Sequence, residues 1–368
     1  MYRIGFIVEQ ALGHITHAKN LQANVPQDPQ IEAHWALPPF ETRGLAARLP
    51  LYRSNWTVRA GWRTRRALAR FQRQNRLDAL FFHTQVTAIL SPDWLARIPS
   101  VVSLDGTPLQ YDSLGQFYAH KTDPPWLENI KFRLNQTCYR RARRLVTWSE
   151  WAKKSLVDDY HVPPEKITVI PPGVNTAEWL RPAPRTAHRG AVKILFVGGN
   201  LARKGGDLLL QAFRTLRERH PDIELHLVTR DTVLPEPGVF AYYDVQPNSP
   251  QLKQLYFDAD IFCLPTQGDM LPMVLSEASA AGLPVVSTRL AAIPEIVRHG
   301  QSGFLIGVGD LPGLVESLER LIRQPDLRLR MGEQAVRVAQ EGFDAQQNAL
   351  RLLGLIKSMV DEQRRQRA

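Results

Sequence analysis

Short apolar runs alternate with longer mixed segments along the whole chain, and this alternation most constrains the fold. The apolar runs have the length of buried strands, and the segments between them are long enough for helices. A helix between two strands favours parallel pairing, because a parallel connection needs a crossover. We therefore predict an α/β protein with doubly wound parallel sheets. The predicted strands are 4–8, 34–37, 79–82, 101–104, 145–147, 167–170, 192–197, 224–228, 240–243, 261–264, 285–287 and 304–306. The predicted helices are 17–23, 58–74, 126–143, 149–159, 206–219, 249–258, 271–281, 293–299, 311–323, 326–340 and 345–364.

A polar, Pro-rich segment at 181–190 interrupts the alternation, which then restarts with a strand ending in glycines. A chain of 368 residues is too long for one typical domain and suits two. We predict an N-terminal domain at 1–180 and a C-terminal domain at 191–344, with the Pro-rich segment as a linker.

The net charge of +10 is unevenly distributed. Residues 1–180 hold 23 Lys and Arg against 15 Asp and Glu, a balance of +8. Residues 181–368 hold 23 against 21, a balance of +2. This asymmetry indicates an anionic partner for the first half of the chain.

The cysteines and the apolar runs bear on the compartment. Cys138 and Cys263 are the only cysteines, and two distant thiols give neither a disulfide framework nor a metal cluster. This pattern is typical of a reducing compartment. Residues 1–9 read as a buried strand rather than a secretory leader, and no apolar run approaches the ~18 residues of a membrane span. We expect a cytoplasmic protein, with peripheral contact to the cytoplasmic membrane face as an alternative.

The segment at 265–286 carries two carboxylates, Asp269 and Glu277, eight positions apart. The run 261–264 precedes it as a strand, and a helix with Gly282 and Pro284 as its stop signal follows. Open α/β sheets bind ligands beyond the carboxyl ends of their strands. Carboxylates at this position make strong charge-assisted hydrogen bonds and suit sugar hydroxyls.

Five segments of the chain carry a resemblance to a known family. They are Val146-Thr-Trp-Ser-Glu-Trp-Ala-Lys-Lys-Ser, Lys166-Ile-Thr-Val-Ile-Pro-Pro-Gly-Val-Asn, Phe196-Val-Gly-Gly-Asn-Leu-Ala-Arg-Lys-Gly-Gly, the stretch 265–286, and Pro294-Glu-Ile-Val-Arg-His-Gly-Gln-Ser-Gly. Together they resemble the retaining GT-B glycosyltransferases of family 4; each is a weak match alone, but all five occur in the order of the family. The resemblance implies two Rossmann-like domains that face a central cleft, with the helix at about 345–364 packed back on the first domain. It also implies transfer of a hexose from a nucleotide-diphosphate sugar to an acceptor hydroxyl, without metal or other cofactor, in polysaccharide biosynthesis.

The resemblance assigns the two carboxylates to the donor. Glu277 matches the family's second Glu, which holds the ribose hydroxyls, although a helix acid that complements the helix dipole would look the same. Asp269 replaces the first Glu, which lies beside the transferred sugar. The backbone N–H groups of Met270 and Leu271 can also bind the donor at this helix start.

The glycine turn after residue 197 supplies the predicted phosphate contacts. Lys204 matches the family's Lys before Gly, and Arg203 stands in for an Arg that the family has where this chain has Gly199. Two fixed cations suit a leaving diphosphate, whereas the alternative is a solvated basic loop. Four further donor contacts follow from family position: Gly13, in a loop after the first strand that touches the donor phosphates or the acceptor in the family, and three residues of the loop that brackets the base. That base loop is Tyr243, Asp244 and Val245.

The acceptor side is predicted in the first domain. Asp105 stands where many family members carry a His near the reacting sugar, and an acid can replace a His donor at neutral pH only if its pKa is raised. It can instead bind a sugar hydroxyl or stabilise an oxocarbenium-like charge. His14 and Thr16 follow Gly13 and are candidate acceptor contacts, although a lone His is often structural.

Five arginines recur at helical spacing and share one face of the predicted helix at 58–74. Like charges at this spacing repel, so an external anion would favour the arrangement. Trp62 lies beside them and suits a membrane interface. We predict docking on anionic lipid near a lipid-linked acceptor, with a solvated helix face as the alternative. The five are Arg59, Arg63, Arg66, Arg70 and Arg73.

Two other function classes stay open on the sequence. A basic nucleic-acid-binding protein would use the +8 half, but the chain has no zinc pattern and no RNA-binding signature. A GT-B epimerase or phosphorylase would share the fold. A phosphorylase would need a cofactor lysine late in the chain, where Lys357 is the only lysine.

Overall fold

The structure, a computed structural model, describes residues 1–11, 13–41, 52, 55–74, 76–115, 123–186 and 191–367. Its strands are β1 Tyr2–Val8, β2 Ile31–Ala36, β3 Ala79–His83, β4 Ser100–Leu104, β5 Arg144–Thr147, β6 Ile167–Val169, β7 Lys193–Val197, β8 Glu224–Val228, β9 Val239–Tyr242, β10 Ile261–Leu264, β11 Val285–Thr288 and β12 Gly303–Ile306. Its helices are α1 His14–Asn24, α2 Trp56–Gln74, α3 Gln85–Ala88, α4 Pro92–Arg97, α5 Pro108–Ser113, α6 Pro125–Arg141, α7 Glu150–Asp158, α8 Thr176–Trp179, α9 Gly206–Arg217, α10 Pro250–Asp258, α11 Met273–Ala280, α12 Ile293–Ile296, α13 Leu311–Arg323, α14 Pro325–Gly342 and α15 Ala345–Arg367.

The chain divides into two compact units. The first comprises Met1–Asp112, Lys121–Pro172 and Ala345–Ala368. The second comprises Ser113–His120 and Gly173–Asp344. The first unit is therefore assembled from segments at both ends of the sequence.

The Pro-rich segment predicted as a linker is part of the second unit. Arg181 donates from Nε to the carbonyl oxygen of Phe257 at 3.1 Å. Arg185 donates to the carbonyl oxygens of Tyr256 at 2.9 Å and Ala281 at 3.2 Å. These carbonyls end α10 and α11, where a helix leaves acceptors without intrahelical partners. The linker prediction is therefore wrong for 181–186, because its arginines cap two helices.

The sheet of the first unit has six parallel strands in the order β2-β1-β3-β4-β5-β6. One face packs on Leu68 and Phe71 of α2. The other face packs on Leu353 and Ile356 of α15. With both faces covered, the strands read as continuous apolar runs, which is why the sequence located them well.

The sheet of the second unit has six parallel strands in the order β12-β11-β10-β7-β8-β9. The strand order reverses between β7 and β10, so loops from opposite faces diverge there and leave a crevice at the carboxyl ends. In the first sheet the same reversal falls between β1 and β3. These two switch points position the candidate sites described below.

Within the described ranges, four short α-helices were not predicted from the sequence, namely α3, α4, α5 and α8. Each has four to six residues, which is too short to show a helical period. The helix predicted at 271–281 begins at Met273 and ends at Ala280. Asp269 consequently lies in the loop before α11 and not at its head.

Among the described residues, no helix combines the length and the apolar composition that a membrane crossing requires. Cys138 and Cys263 are both free and buried.

Candidate functional site

The carboxylate of Asp269 pairs with both cations that the sequence predicts to contact the donor phosphates, Arg203 and Lys204. Its Oδ1 lies 3.0 Å from Arg203 NH1 and 2.7 Å from Lys204 Nζ. Its Oδ2 accepts from the hydroxyl of Thr266 at 2.7 Å. Asp269 is only 6% exposed, so the ion pairs lie in a mostly dry environment and are screened little. The structure thus brings together three of the residues that the sequence predicted for the donor.

A glycine at 205 makes this arrangement possible. Gly205 has a φ of +77°, and a Cβ there would lie 1.9 Å from the carbonyl oxygen of Pro265. No other residue could adopt this conformation at this separation without displacing the backbone. The close approach lets the amide of Gln267 donate to the carbonyl oxygen of Arg203 at 2.9 Å. The loop after β7 and the loop after β10 are therefore joined directly across the switch point.

Glu277 lies on α11 and is 4% exposed. Its Oε2 accepts from the hydroxyl of Tyr256 at 2.9 Å. Burial raises the pKa of Glu277 to about 7, and the hydrogen bond from Tyr256 opposes part of this rise. A carboxylate held in a dry site by one hydroxyl can accept further hydrogen bonds, as a vicinal diol would require.

The remaining donor candidates lie in loops at the same sheet edge. Met270 and Leu271 are buried between Asp269 and α11. Tyr243, Asp244 and Val245 follow the edge strand β9, two strands away from β7. Tyr243 is 46% exposed, and its hydroxyl accepts from the amide of Val233 at 3.2 Å. Their predicted role at the base stays a prediction.

Gly199 directly follows the first glycine of the turn, and a Cβ there would meet Arg230 at 3.7 Å. Arg230 follows β8, and the sequence analysis did not single it out.

In the first unit, His14 lies between two carboxylates. Its Nδ1 is 2.9 Å from Oε1 of Glu9, and its Nε2 is 3.3 Å from Oδ2 of Asp105. Glu9 follows β1 and Asp105 follows β4, while His83 ends β3 between them. The His14 ring meets the His83 ring edge-on at 4.7 Å between centroids. The carboxyl ends of three adjacent strands thus build this cluster.

The three histidines of this region differ in charge. Burial opposes the charge on His14, but Asp105 and Glu9 outweigh it and raise the pKa of His14 to about 10. Burial, followed by the charge on His14, lowers the pKa of His17 to about 3 and that of His83 well below its usual range. The pKa of Asp105 is lowered, since His14 outweighs the effect of burial. One imidazolium is therefore clamped between two carboxylates.

This arrangement refines the prediction for Asp105. An acid stands at this strand end where the family carries a His, and the structure places the imidazole of His14 against that acid. Glu9 and Tyr256 were not predicted. The sequence feature that could have identified Glu9 is its position directly after a buried apolar run. No sequence signal linked Tyr256 to Glu277, because they lie on different helices.

Gly13 is the N-cap residue of α1, directly before His14. Thr16 is half-buried on α1, whereas His17 is buried against Trp148, with ring centroids 5.0 Å apart. Among the described residues, no group of three or more His, Cys, Asp or Glu side chains is arranged to hold a metal ion.

The arginine stripe on α2 differs from the prediction at its first two members. Arg59 is 6% exposed and donates to the carbonyl oxygen of Tyr52 at 3.1 Å. Arg63 donates to the carbonyl oxygens of Pro39 and Glu41. The five arginines predicted to contact the membrane therefore do not form one exposed face, because Arg59 is buried and hydrogen-bonded to Tyr52. Arg66, Arg70 and Arg73 are exposed, and Arg66 lies 4.1 Å from the ring centroid of Trp62.

We expect His14→Gln to destabilise the protein in a pH-dependent way. The folded pKa of about 10 lies above the unfolded value of about 6.5, so the ion pairs stabilise fully below pH 6.5 and are lost as the pH rises through 10. The variant should lose about 3–5 kcal/mol of unfolding free energy at pH 6, because it leaves the buried carboxylate of Glu9 and the partly buried one of Asp105 without their cation. Urea denaturation at pH 6 and pH 10 measures the difference. His161→Gln, at an exposed position of the same unit, is the control. A deficit of equal size at both pH values would contradict the clamp.

Glu277→Gln should also change the stability in a pH-dependent way, but as a gain at high pH and not as a loss at low pH. The pKa of Glu277 is raised to about 7, so its contribution to stability is present below about pH 4.5 and is lost as the pH rises through 7. The neutral variant should therefore gain up to about 3 kcal/mol over the wild type at pH 8 and little at pH 5. Denaturant titrations at the two pH values check this, with Glu316→Gln as an exposed control on α13. If the variant gains nothing at pH 8, the carboxylate is not held as described.

Comparison with known proteins covers both halves of the chain. Residues 25–178 match the model of the family described as Glycosyltransferase Family 4. Residues 191–324 match the model described as Glycosyl transferases group 1. A D-inositol 3-phosphate glycosyltransferase from Thermobispora bispora is 30% identical over 223 residues, which are 54% of this chain and 52% of that protein. The chain thus spans about half the length of such curated relatives.

Solved structures with low sequence identity share the fold. Sucrose-phosphate synthase from Thermosynechococcus elongatus aligns with a TM-score of 0.76 at 13% identity, over 98% of this chain and 100% of that one. HepE from Anabaena, solved in complex with UDP and glucose, aligns with a TM-score of 0.69 at 15% identity, over 97% of this chain and 100% of that one. Models of one enzyme class match both halves of the chain, and the solved structures share its fold over nearly its whole length. The chain therefore belongs to the family 4 glycosyltransferases of the GT-B fold.

Proposed function

We propose that the protein transfers a hexose from a nucleotide-diphosphate sugar to an acceptor hydroxyl, with retention at the anomeric carbon and without a metal ion. The observation that carries this proposal is the pair of cations, Arg203 and Lys204, held by Asp269 at the switch point of the second sheet. Cations fixed in a dry crevice stabilise charge that develops on a leaving group. A relative that is a glycosyltransferase and a fold neighbour that binds UDP with glucose support the same chemistry.

The second unit would hold the donor. The ammonium of Lys204 has three donors, and Asp269 takes one of them at 2.7 Å. The others are available to diphosphate oxygens, and the guanidinium of Arg203 would add a planar fork for the same group. Glu277 would accept from the ribose hydroxyls. Asp269 would serve the transferred sugar while it fixes the two cations.

The transfer step breaks the bond between the anomeric carbon and the diphosphate oxygen, and the electron pair leaves with the diphosphate. The acceptor oxygen forms its bond to the same face of that carbon, which gives retention. The acceptor proton passes to the departing phosphate oxygen, so no enzyme nucleophile takes part. Arg203 and Lys204 would stabilise the growing negative charge, which replaces the role of a divalent cation.

The first unit would hold the acceptor. The Asp105 side chain is 25% exposed, compared with 4% for Glu9. Asp105 can therefore accept from a sugar hydroxyl through its other oxygen, while His14 keeps it ionised. Glu9 is fixed from the rear by the Thr84 hydroxyl at 2.9 Å and by Trp56 Nε1 at 2.9 Å. These two hydrogen bonds fix Glu9, and Glu9 in turn orients the imidazole of His14. Asp105 would then be the carboxylate that contacts the acceptor substrate.

Lys204→Met tests the proposed donor chemistry. We expect kcat to fall by about 100-fold or more, as for the loss of one group that stabilises transition-state charge. The melting temperature should change little, since Arg203 and Thr266 still pair with Asp269. The measurement is hydrolysis of UDP-, GDP- and ADP-hexoses with EDTA present, which needs no identified acceptor, and NMR of the released hexose reports the anomer.

Lys253→Met, which removes a lysine from the same unit at an ion pair with Glu178, is the matched control. Unchanged turnover in Lys204→Met would remove Lys204 from the reaction. Activity abolished by EDTA in the wild type would contradict the metal-free step, and an inverted product would contradict retention.

We also propose that the acceptor is membrane-associated and that α2 contributes to docking at the cytoplasmic membrane face. The exposed set of Trp62, Arg66, Arg70 and Arg73 combines an aromatic ring with three cations. Such a surface suits anionic headgroups, each basic residue contributing about 1 kcal/mol near the lipid.

Vesicle sedimentation tests this docking. Arg70→Gln/Arg73→Gln should bind vesicles of anionic phospholipid about 30-fold more weakly than the wild type, because two lipid-facing charges are lost. Arg323→Gln/Arg337→Gln removes the same charge from exposed positions of the second unit and should bind as the wild type does. Equal binding of the wild type to neutral and anionic vesicles would rule out the docking surface.

A further inference from the structure

We propose that Arg230 is a third cation of the donor site and binds the diphosphate of the nucleotide sugar from the loop after β8. This inference rests on the proposed function and extends its site to a residue that the sequence did not indicate. It is carried by the position of the Arg230 side chain over Gly199 and by the fixed contact between the two loops.

The loops after β7 and β8 are tied together at their start. The strands pair in parallel through Val197 and Val228. Beyond them, the amide of Gly198 donates to the carbonyl oxygen of Val228 at 2.9 Å. The amide of Leu201 then donates to Oδ2 of Asp231 at 2.6 Å. Arg230 is thus anchored on both sides, next to the turn that carries Arg203 and Lys204.

The two glycines of this turn are each covered by a cationic side chain. A Cβ at Gly198 would lie 2.9 Å from Cγ of Lys204, and a Cβ at Gly199 would lie 3.7 Å from Nε of Arg230. Gly199 has no positive φ, so its backbone does not demand glycine. The small residue instead leaves room for the Arg230 side chain, which occupies the space that a long side chain at 199 would fill.

The charge balance of the turn favours an anion. Asp231 is committed to the amide of Leu201, and Asp269 to both Arg203 and Lys204. The described residues place no carboxylate within ion-pair distance of the Arg230 guanidinium, whose side chain is exposed. A guanidinium next to the turn that carries two other cations, at the carboxyl ends of parallel strands, suits the planar recognition of phosphate oxygens.

The test compares Arg230→Ala with the wild type by calorimetric titration of UDP, GDP and ADP, and by NMR titration of uridine, guanosine and adenosine. For the diphosphate that the wild type binds, we expect affinity to fall about tenfold or more, as for a lost hydrogen bond to a charged group. The matching nucleoside should bind both proteins equally. Arg337→Ala removes an exposed arginine from α14 and should bind as the wild type does.

A double variant that moves the guanidinium to the neighbouring loop distinguishes a phosphate contact from a structural role. In Gly199→Arg/Arg230→Ala, the new arginine at 199 places a guanidinium in the space that the Arg230 side chain has left. We expect this double variant to recover at least half of the binding free energy for the diphosphate that Arg230→Ala loses. Melting curves of all variants should overlay that of the wild type, because Arg230 is exposed.

The outcomes distinguish this inference from the proposed function. If Arg230→Ala binds the diphosphate as tightly as the wild type while Lys204→Met binds it more weakly, Arg230 is not a donor residue and the proposed function stands. If Arg230→Ala weakens nucleoside and diphosphate equally, Arg230 contacts the base and the phosphate assignment is overturned. If the wild type binds none of the three diphosphates, both proposals fail.

Discussion

The buried carboxylate of Asp269 is the interaction on which the candidate donor site depends. It gathers Arg203 and Lys204 at distances of 3.0 and 2.7 Å, in a place that is 6% exposed. Taking such charges out of water is unfavourable unless geometry is good and further hydrogen bonds are made, and Thr266 supplies one. The approach of the two loops in turn requires a residue without Cβ at position 205. A backbone constraint thus determines where two positive charges lie.

The charged clusters of the two units have opposite arrangements of charge. In the second, one carboxylate lies between two cations. In the first, one cation, His14, lies between the carboxylates of Glu9 and Asp105. Both clusters occur where parallel strands end, beside a reversal of strand order, because divergent loops leave space there. An edge rich in cations suits a diphosphate, and an edge rich in carboxylates suits hydroxyl groups.

The sequence was sufficient for much of the fold and for part of the site. The inner strands, such as β3, β4, β10 and β11, could be located because they are buried along their whole length and are largely apolar. Asp269, Lys204 and Glu277 lie in motifs that can be recognised along the chain. Glu9, Tyr256 and Arg230 could not be assigned in this way, since their partners lie on other elements.

Two other predictions failed because contacts from elsewhere in the chain decided them. Helical periodicity placed Arg59 on the same face as Arg70, but it does not show that Tyr52 accepts a hydrogen bond from Arg59 and that the side chain is buried. The Pro-rich composition of 181–186 suggested a linker, but Arg185 finds carbonyl oxygens at two helix ends. One-dimensional patterns identify which residues are polar, and the tertiary partners decide what those residues do.

The helix α15 belongs to the first unit although the whole second unit precedes it in the chain. Its residues Leu353 and Ile356 cover one face of the first sheet together with Ala18 and Leu21 of α1. On the ribosome, that face stays without its main apolar cover until everything up to residue 344 has been synthesised. The first unit must therefore wait for a contact of very large sequence separation, which slows folding and prolongs exposure of an aggregation-prone sheet. Its need for chaperones during synthesis should exceed that of the second unit, most of which is one continuous segment from 173 to 344.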